Sequence, residues 1–394
     1  MAASIVPLPP ETIAIGDAVK RVLREDAAAA WDLPMADNSA MDGYAVRSTD
    51  TEGVPDCKLR VLAADAYAGS RRVAEIGPGT AVPIGTGGLI PSGADAVAIK
   101  EIVDRDGETI VVRERVPVGA HIRRAGEELR AGDVVIPSGL RMGPVKIAAA
   151  AAAGVRDLAV SRLPRVAVLS TGDELVPLGS QTRPGQVVNT NTPMLAMAIE
   201  DLLGGAPATP EHAGDNRGAL HDSLRRVLDG SDVMVLTGGV SVGDRDLVKQ
   251  TLEEDLGAKR LVWRVAQKPG KPTYVGCCDG RWVLGLPGNP AAVAVGWHTL
   301  VRPLLLALMG AAEPMSRRVP VRLTAPTRQN TLRTQLRWSV GEWRGHELWA
   351  EPLDRSGSHM LSDLARSELL VVIPPGEGEL PVGSTVEAFH IESI

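Results

Sequence analysis

The chain has 394 residues, 44% hydrophobic and 23% charged, with a formal net charge of −6. A single hydrophobic core stops growing near about 250–300 residues, so several domains are expected. The acidic balance and an aromatic content of only 3% exclude a general nucleic-acid binder and any base-stacking platform, so an anionic ligand must be held by local lysines and arginines.

Cys57, Cys277 and Cys278 form no even framework and two of them are adjacent, which points to a reducing, cytoplasmic setting. There is no Cys-x-x-Cys and no closely spaced pair among the seven histidines, so no zinc site is expected. The first residues lack a charged segment followed by an apolar one, so no leader peptide is expected. The most apolar long segment, residues 291–309, is interrupted by His298, Arg302 and Pro303 and reads as a soluble helix, with no membrane partner.

In chain order, residues 17–26 place Ala18, Val19, Val22 and Leu23 on one face and Lys20, Arg21 and Arg24 on the other, the pattern of a short amphipathic helix. Residues 33–130 are rich in Gly and Pro with short alternating runs near Leu59 and Thr109, the texture of a small β domain. The alanine run after Met142 has Pro144 at the first helical position and Gly154 past its end, so it is predicted as a capped helix packed on the N-terminal one. Residues 1–32 and 131–163 then form one helical unit split by an inserted β domain.

Residues 164–312 alternate strand and helix. Strands are predicted at 166–169, 233–236, 261–265 and 282–286. Helices are predicted at 193–203 with Thr192 as cap, at 216–228, near 246–256, and after Asn289-Pro290. This period predicts a doubly wound parallel sheet, whose ligands sit outside the carboxyl ends of its strands. Residues 313–394 alternate again and read as a small β-barrel. The fold class is thus multidomain α/β.

Chemistry-bearing residues cluster at the predicted strand ends. The stretch from Val233 to Lys249 ends an apolar run in Thr237, Gly238, Gly239, Ser241 and Gly243, followed by Asp244 and Asp246. Such a loop lets backbone N–H groups approach a phosphate and the acids hold a cation, although a plain strand–loop–helix joint has the same composition. Thr171, Asp173 and Glu174 follow another strand, and Asp215 opens a helix; carboxylates beside a phosphate loop are the usual ligands of Mg²⁺. Gln267-Lys-Pro-Gly-Lys-Pro272 presents Lys268 and Lys271 on a stiff backbone, an oxyanion site. Gly288 and Asn289 form a second N–H nest. Asp37-Asn-Ser-Ala-Met-Asp-Gly-Tyr-Ala-Val46, the Thr86 cluster, Arg123 and Arg124, and Gly357-Ser-His-Met-Leu-Ser362 add polar groups that also fit ordinary turns and surface.

Together and in this order, the motifs at 37–46, 170–175, 237–249, 268–272, 285–290 and 357–362 resemble the molybdopterin molybdotransferase family, the molybdenum insertases or MoeA proteins, related to the C-terminal part of gephyrin. The resemblance implies a homodimer with the four units above, the α/β one being of the molybdopterin-binding kind. It also implies insertion of molybdate into adenylylated molybdopterin, with Mg²⁺-dependent release of AMP. Carried over by position, Asp42 looks like the essential acid of the inserted domain, facing the partner's α/β domain, and Lys268 and Lys271 look like the anion-binding lysines. Glu174, Asp215 and Asp246 look like the Mg²⁺ ligands, with Ser241 at the pyrophosphate. Thr86, Thr171, Gly238, Gly239, Gly243, Gly288 and Asn289 line the substrate site, and Arg333, Arg337 and Ser362 are candidates for molybdate contacts. Glu128 is a further candidate catalytic carboxylate and stands where relatives commonly have Asp; Ala291-Ala292 stand where they usually have Val-Ser. A non-catalytic gephyrin-like scaffold and a molybdopterin adenylyltransferase are the other activities the resemblance allows.

Overall fold

The structure is a computed structural model and describes residues 5–53, 57–64, 66–69, 75–214, 216–239, 247–353 and 361–391. The segments flanking the inserted domain come together by strand pairing. Pro10–Ala14 runs antiparallel to Asp157–Ser161, and Ala27–Ala28 to Val134–Ile136. The alanine run forms the helix Pro144–Ala152, with Gly154 at φ +83° beyond its end.

The helix predicted over residues 17–26 does not form. Ala18, Val22 and Leu23 are fully buried, but Val19, predicted on the same face, is exposed, and Arg21, predicted on the polar face, is buried. The backbone, however, bonds outward: the N–H groups of Lys20, Leu23 and Arg24 donate to the carbonyls of Met142, Leu140 and Ala159, and Lys20 sits at φ +65°. Long-range partners satisfy these groups, so local helix propensity decides nothing. The alanine helix accordingly packs on the turn Ile15–Asp17 and the strand Val134–Ile136.

The inserted domain is a six-stranded sheet in the spatial order Ala96–Ile99, Gly43–Val46, Thr80–Ile84, Cys57–Val61, Thr109–Val112, Val103–Asp106. Burial alternates along Cys57–Val61, with residues 57, 59 and 61 inside, which is the two-residue period of a sheet with one face in a core. Its cores are built from Val, Ile, Leu and Ala, as the lack of aromatics dictates.

The α/β domain carries a six-stranded sheet in the order Thr209–Ala213, Val166–Thr171, Val233–Thr237, Arg281–Leu286, Tyr274–Cys278, Lys259–Trp263. The first four strands are parallel, and Val166–Thr171 is buried along its whole length, as a strand covered on both faces must be. The last two strands are antiparallel, unlike the wholly parallel sheet predicted. Only residues 264–273 join them, too few for the crossover helix that a parallel return requires. The helix Asn191–Leu203 and the run Pro290–Leu308 cover one face, and Arg217–Gly230 with Leu247–Gln250 the other. Pro290–Leu308 is long and apolar enough to cross a membrane, but its side chains are buried within the fold.

Two helix starts differ from the sequence reading. Asn191–Leu203 begins ahead of Pro193, and the Thr192 N–H donates to Asn189 Oδ1 at 3.2 Å instead of Thr192 capping the helix. Asn216 is the cap of Arg217–Gly230, its Oδ1 accepting from the N–H groups of Gly218 and Ala219.

In the C-terminal domain, Thr334–Arg344, Glu347–Pro352, Arg318–Leu323, Thr385–His390 and Leu369–Ile373 pair in that order, and the last pairs again with the first. The result is a closed five-stranded barrel without free edges. It docks on the α/β domain by packing Leu336, Trp338 and Phe389 against Ala291, Ala294 and Val295. A main-chain link accompanies this packing: Gln267–Lys268 runs parallel to the barrel strand Thr334–Arg344, with Gln267 opposite Thr334 and Lys268 opposite Gln335.

Candidate active site

The parallel register brings the ends of three strands to one rim, with Ser170 opposite Thr237 and Thr237 opposite Leu286. Gly238 donates its N–H to Leu286 O at 3.2 Å. Gly238 and Gly239 take φ +85° and +66°, a region that suits glycine. Side chains are also excluded by space. A Cβ on Gly238 would lie 2.8 Å from Thr171 O, and one on Gly239 would overlap Val248 Cγ2 and lie 2.7 Å from Thr171 Oγ1. The three loops are therefore in van der Waals contact, and Asn191 fixes the third by donating its Nδ2 to Gly288 O at 2.7 Å.

Buried polar atoms collect at this rim. Thr171 Oγ1, Asn191 Oδ1 and Thr192 Oγ1 find no hydrogen-bond partner among the described residues. Buried polar groups in native proteins are nearly always paired, so such a concentration marks a place for a polar ligand or water. Glu174 folds back over Gly172, its Oε1 2.6 Å from where a Cβ of Gly172 would stand, and Asp173 Oδ1 leans to within 2.8 Å of the corresponding point at Gly214. Both carboxylates are oxygen donors of the hard type that Mg²⁺ takes. No group of three or more His, Cys, Asp or Glu side chains gathers among the described residues.

Beside the rim lies a cavity of about 390 Å³ lined by Lys268, Lys271, Asn289, Ala292, Arg333 and Arg337, among others. Its construction follows from the strand link. Because Lys268 pairs opposite Gln335, the stiff lysine loop is held over the barrel strand. Arg333, Gln335 and Arg337 recur at every second position and so share a face. Gln335 is buried; its Nε2 donates to Arg328 O at 2.8 Å and its Oε1 accepts from Arg337 Nη2 at 3.3 Å. Four cations thus surround one concave space in a chain of net charge −6. Asn289 begins the long helix without capping it by a side-chain bond and is one of the residues that line the cavity.

Asp42 occupies a separate place, immediately before the strand Gly43–Val46 of the inserted domain. Its Oδ1 accepts from the Thr86 N–H at 2.8 Å and the Thr86 hydroxyl at 2.9 Å, and Lys100 Nζ is 4.0 Å from Oδ2. The Thr86 backbone N–H first, then its hydroxyl, hold the carboxyl below the usual Asp range, so Asp42 is an exposed anion at neutral pH. Arg124 is spent on structure: its Nη1 donates to Asp37 Oδ2 at 2.6 Å while the Ala125 N–H donates to Oδ1 at 2.8 Å. The Ala125 N–H and then the Arg124 contact depress the Asp37 carboxyl.

Of the residues singled out from sequence, the structure brings Lys268, Lys271, Asn289, Arg333 and Arg337 to the cavity, and Thr171, Glu174, Gly238, Gly239 and Gly288 to the rim. It pairs Asp42 with Thr86 away from both. Glu128 is exposed in the inserted domain, and Ser362 lies on the short helix Leu361–Leu364 packed against Pro290–Gly296; neither lines the cavity. Asp215, Ser241, Gly243, Asp244 and Asp246, and residues 357–360, lie outside the described residues. Sequence reasoning missed Gln335 and Asn191. The alternation of Arg333, Gln335 and Arg337 carried a signal for the first; nothing local marked the second.

Residues 1–154 match the MoeA N-terminal region (domain I and II), residues 167–307 a probable molybdopterin binding domain, and residues 320–390 the MoeA C-terminal region (domain IV). Relatives named molybdopterin molybdenumtransferase from Haemophilus influenzae, and molybdopterin molybdenumtransferase 2 from Mycobacterium tuberculosis, are each 33% identical. Each alignment covers 97% of this chain, and 94% and 95% of the relatives respectively. The crystal structure of the molybdopterin biosynthesis MoeA protein from Pyrococcus horikoshii OT3 superposes with a TM-score of 0.80 at 26% identity, over 97% of this chain and 94% of that one.

Proposed function

The chain belongs to the MoeA family and is a transferase for the molybdenum insertion step of molybdenum cofactor biosynthesis, and from that premise we propose that it inserts molybdate into adenylylated molybdopterin and releases AMP. The observation that supports this reading is the four-cation cavity beside a glycine-lined rim. A small tetrahedral dianion matches the cavity in charge and in its need for several convergent donors. In this reading Lys268 and Lys271 neutralise the oxyanion, Arg333 and Arg337 orient it through directed N–H donors, and Gln335 fixes Arg337. The rim at Thr171, Gly238 and Gly239 takes the pyrophosphate, with the Thr171 hydroxyl, which has no partner among the described residues, as a donor and the glycines allowing close approach. Glu174 would hold Mg²⁺, which when bound would screen the pyrophosphate charge.

Asp42 then acts from a second copy of the chain in a homodimer. The Asp42–Thr86 surface is exposed and flanked by the exposed apolar side chains of Met41 and Tyr67. Covering an ionised carboxylate there requires a counter-charge, and the cationic cavity of a second copy supplies it. The reduced cysteines suit a cytoplasmic location.

Purified protein given adenylylated molybdopterin, Mg²⁺ and molybdate is expected to release AMP in proportion to added molybdate, and Asp42→Asn to stop it. AMP release indifferent to molybdate would sink the reading. Mixing the inactive variants Asp42→Asn and Lys268→Gln is expected to restore partial activity, because one mixed site then keeps both groups. No recovery in verified mixed dimers would place Asp42 and Lys268 in the same chain's site.

A further inference from the structure

Ser170 is the last residue but one of the strand Val166–Thr171 and is fully buried. Its hydroxyl is the hub of a small polar network. The oxygen accepts from Asn189 Nδ2 at 2.9 Å, and its two other neighbours are His212 Nδ1 at 3.2 Å and Glu211 O at 3.4 Å. Register brings them together, since Ser170 stands opposite His212 of the edge strand Thr209–Ala213. A hydroxyl has one proton and two acceptor lone pairs. With His212 neutral the proton is donated to Nδ1; with His212 protonated, Nδ1–H donates and the hydroxyl proton turns to Glu211 O. The bond accepted from Asn189 is kept in both states.

Asn189 carries that bond to two parts of the rim. Its Oδ1 accepts from the Thr192 N–H at 3.2 Å, in the first turn of the helix Asn191–Leu203, where Asn191 holds the Gly288 carbonyl. It also closes the loop 172–189, which carries Glu174. Residues 177–187 of that loop are all exposed, so it has no core of its own to fix it. Within it, Leu175–Val176 runs parallel to Val187–Val188, and the N–H groups of Val187 and Asn189 donate to Glu174 O at 2.9 Å and Val176 O at 2.8 Å. Two-residue pairing of this kind is marginal in water. The Ser170–Asn189 bond ties the end of the loop to a fully buried strand of the sheet.

We propose that Ser170 is a positioning residue of the substrate rim: through Asn189 its hydroxyl anchors the loop carrying Glu174 and the helix start carrying Asn191. This rests on the reading that the rim takes the pyrophosphate of adenylylated molybdopterin. Ser170 touches no substrate. Its effect is to order the rim before binding, so that the substrate does not have to meet that entropy cost. Loss of the anchor therefore weakens binding and leaves the bound complex to react as before.

The test is a double-mutant cycle on Ser170→Ala, Asn189→Ala and the two together in the full chain. Calorimetry measures binding of adenylylated molybdopterin with Mg²⁺ and without molybdate, AMP release at saturating substrate gives kcat, and mass spectrometry follows hydrogen exchange over residues 172–189. Ser170→Ala is expected to weaken binding about fivefold, the worth of one neutral hydrogen bond, and to leave kcat within about twofold of the parent. Exchange over 172–189 is expected to quicken while the rest of the sheet is unchanged. The double variant is expected to bind like Asn189→Ala alone, because both substitutions remove the same bond. Losses that multiply in the double variant, a fall in kcat with binding unchanged, or exchange over 172–189 as slow as in the parent would each overturn the proposal. Faster exchange in Ser170→Ala together with a parent that binds no adenylylated molybdopterin would instead refute the insertion reading and leave the anchor standing.

Discussion

Gly239→Ala tests whether the glycine loop is in forced contact with its neighbours. Gly239 has φ +66°, and a Cβ there would overlap Val248 Cγ2 and lie 2.7 Å from Thr171 Oγ1. Val248 is 2% and Thr171 6% exposed, so neither side chain can swing into solvent. Gly280→Ala is the matched control, because Gly280 has φ +79° with nothing within 4 Å of its would-be Cβ. The left-handed conformation alone costs a non-glycine residue about 1–2 kcal/mol. Overpacking a filled site adds about 1–3 kcal/mol. Gly280→Ala should therefore lose about 1–2 kcal/mol and Gly239→Ala about 2–5 kcal/mol. Urea unfolding followed by far-ultraviolet circular dichroism measures both, the midpoints being comparable when the slopes agree. Equal midpoints for the two variants would refute the contact, and with it the close apposition of the glycine loop, Thr171 and the segment leading to Lys249.

Burial, reinforced by the Arg302 charge, pushes the His298 imidazole down to about 4 from an ordinary 6.5. The unfolded chain then takes up the proton first, so the stability this neutral histidine provides is complete above pH 6.5 and is lost as pH falls toward 4, about 3 kcal/mol in all; His298→Leu should flatten urea midpoints across that window. Asp232 has a different window. Burial raises its carboxyl, but hydrogen bonds from Arg162 and the Arg165 N–H outweigh that and bring it down to about 2. Its contribution, about 2 kcal/mol, is present above pH 3.8 and lost between 3.8 and 2, so Asp232→Asn should lower stability at pH 7 and remove that acid limb alone. Lys271→Met takes one of four cations from the cavity and should raise the molybdate concentration needed for half-maximal AMP release about tenfold, with a weaker dependence on salt.

What the sequence determined by itself was local. Pro144 and Gly154 bound a helix, an apolar run ending in Thr237-Gly-Gly marks a buried strand and its loop, and lysines set between prolines and a glycine mark a stiff cationic turn, because those signals are carried by the backbone preferences of the residues concerned. The ordered motifs carried the family. The tertiary structure decided what depends on partners far away in the chain. Residues 17–26 have a helical pattern yet form no helix, and Val19 and Arg21 exchange their predicted exposures, since the N–H groups of Lys20, Leu23 and Arg24 reach carbonyls beyond residue 139. Glycine at 239 is explained by Val248 and Thr171, which a turn propensity does not reveal. Above all, Lys268 meets Arg333 and Arg337 only because Gln267–Lys268 joins a barrel strand more than sixty residues later. Such pairing is set by the docking of two independent cores, and a periodicity read within one segment contains no information about the face another segment will bring to it.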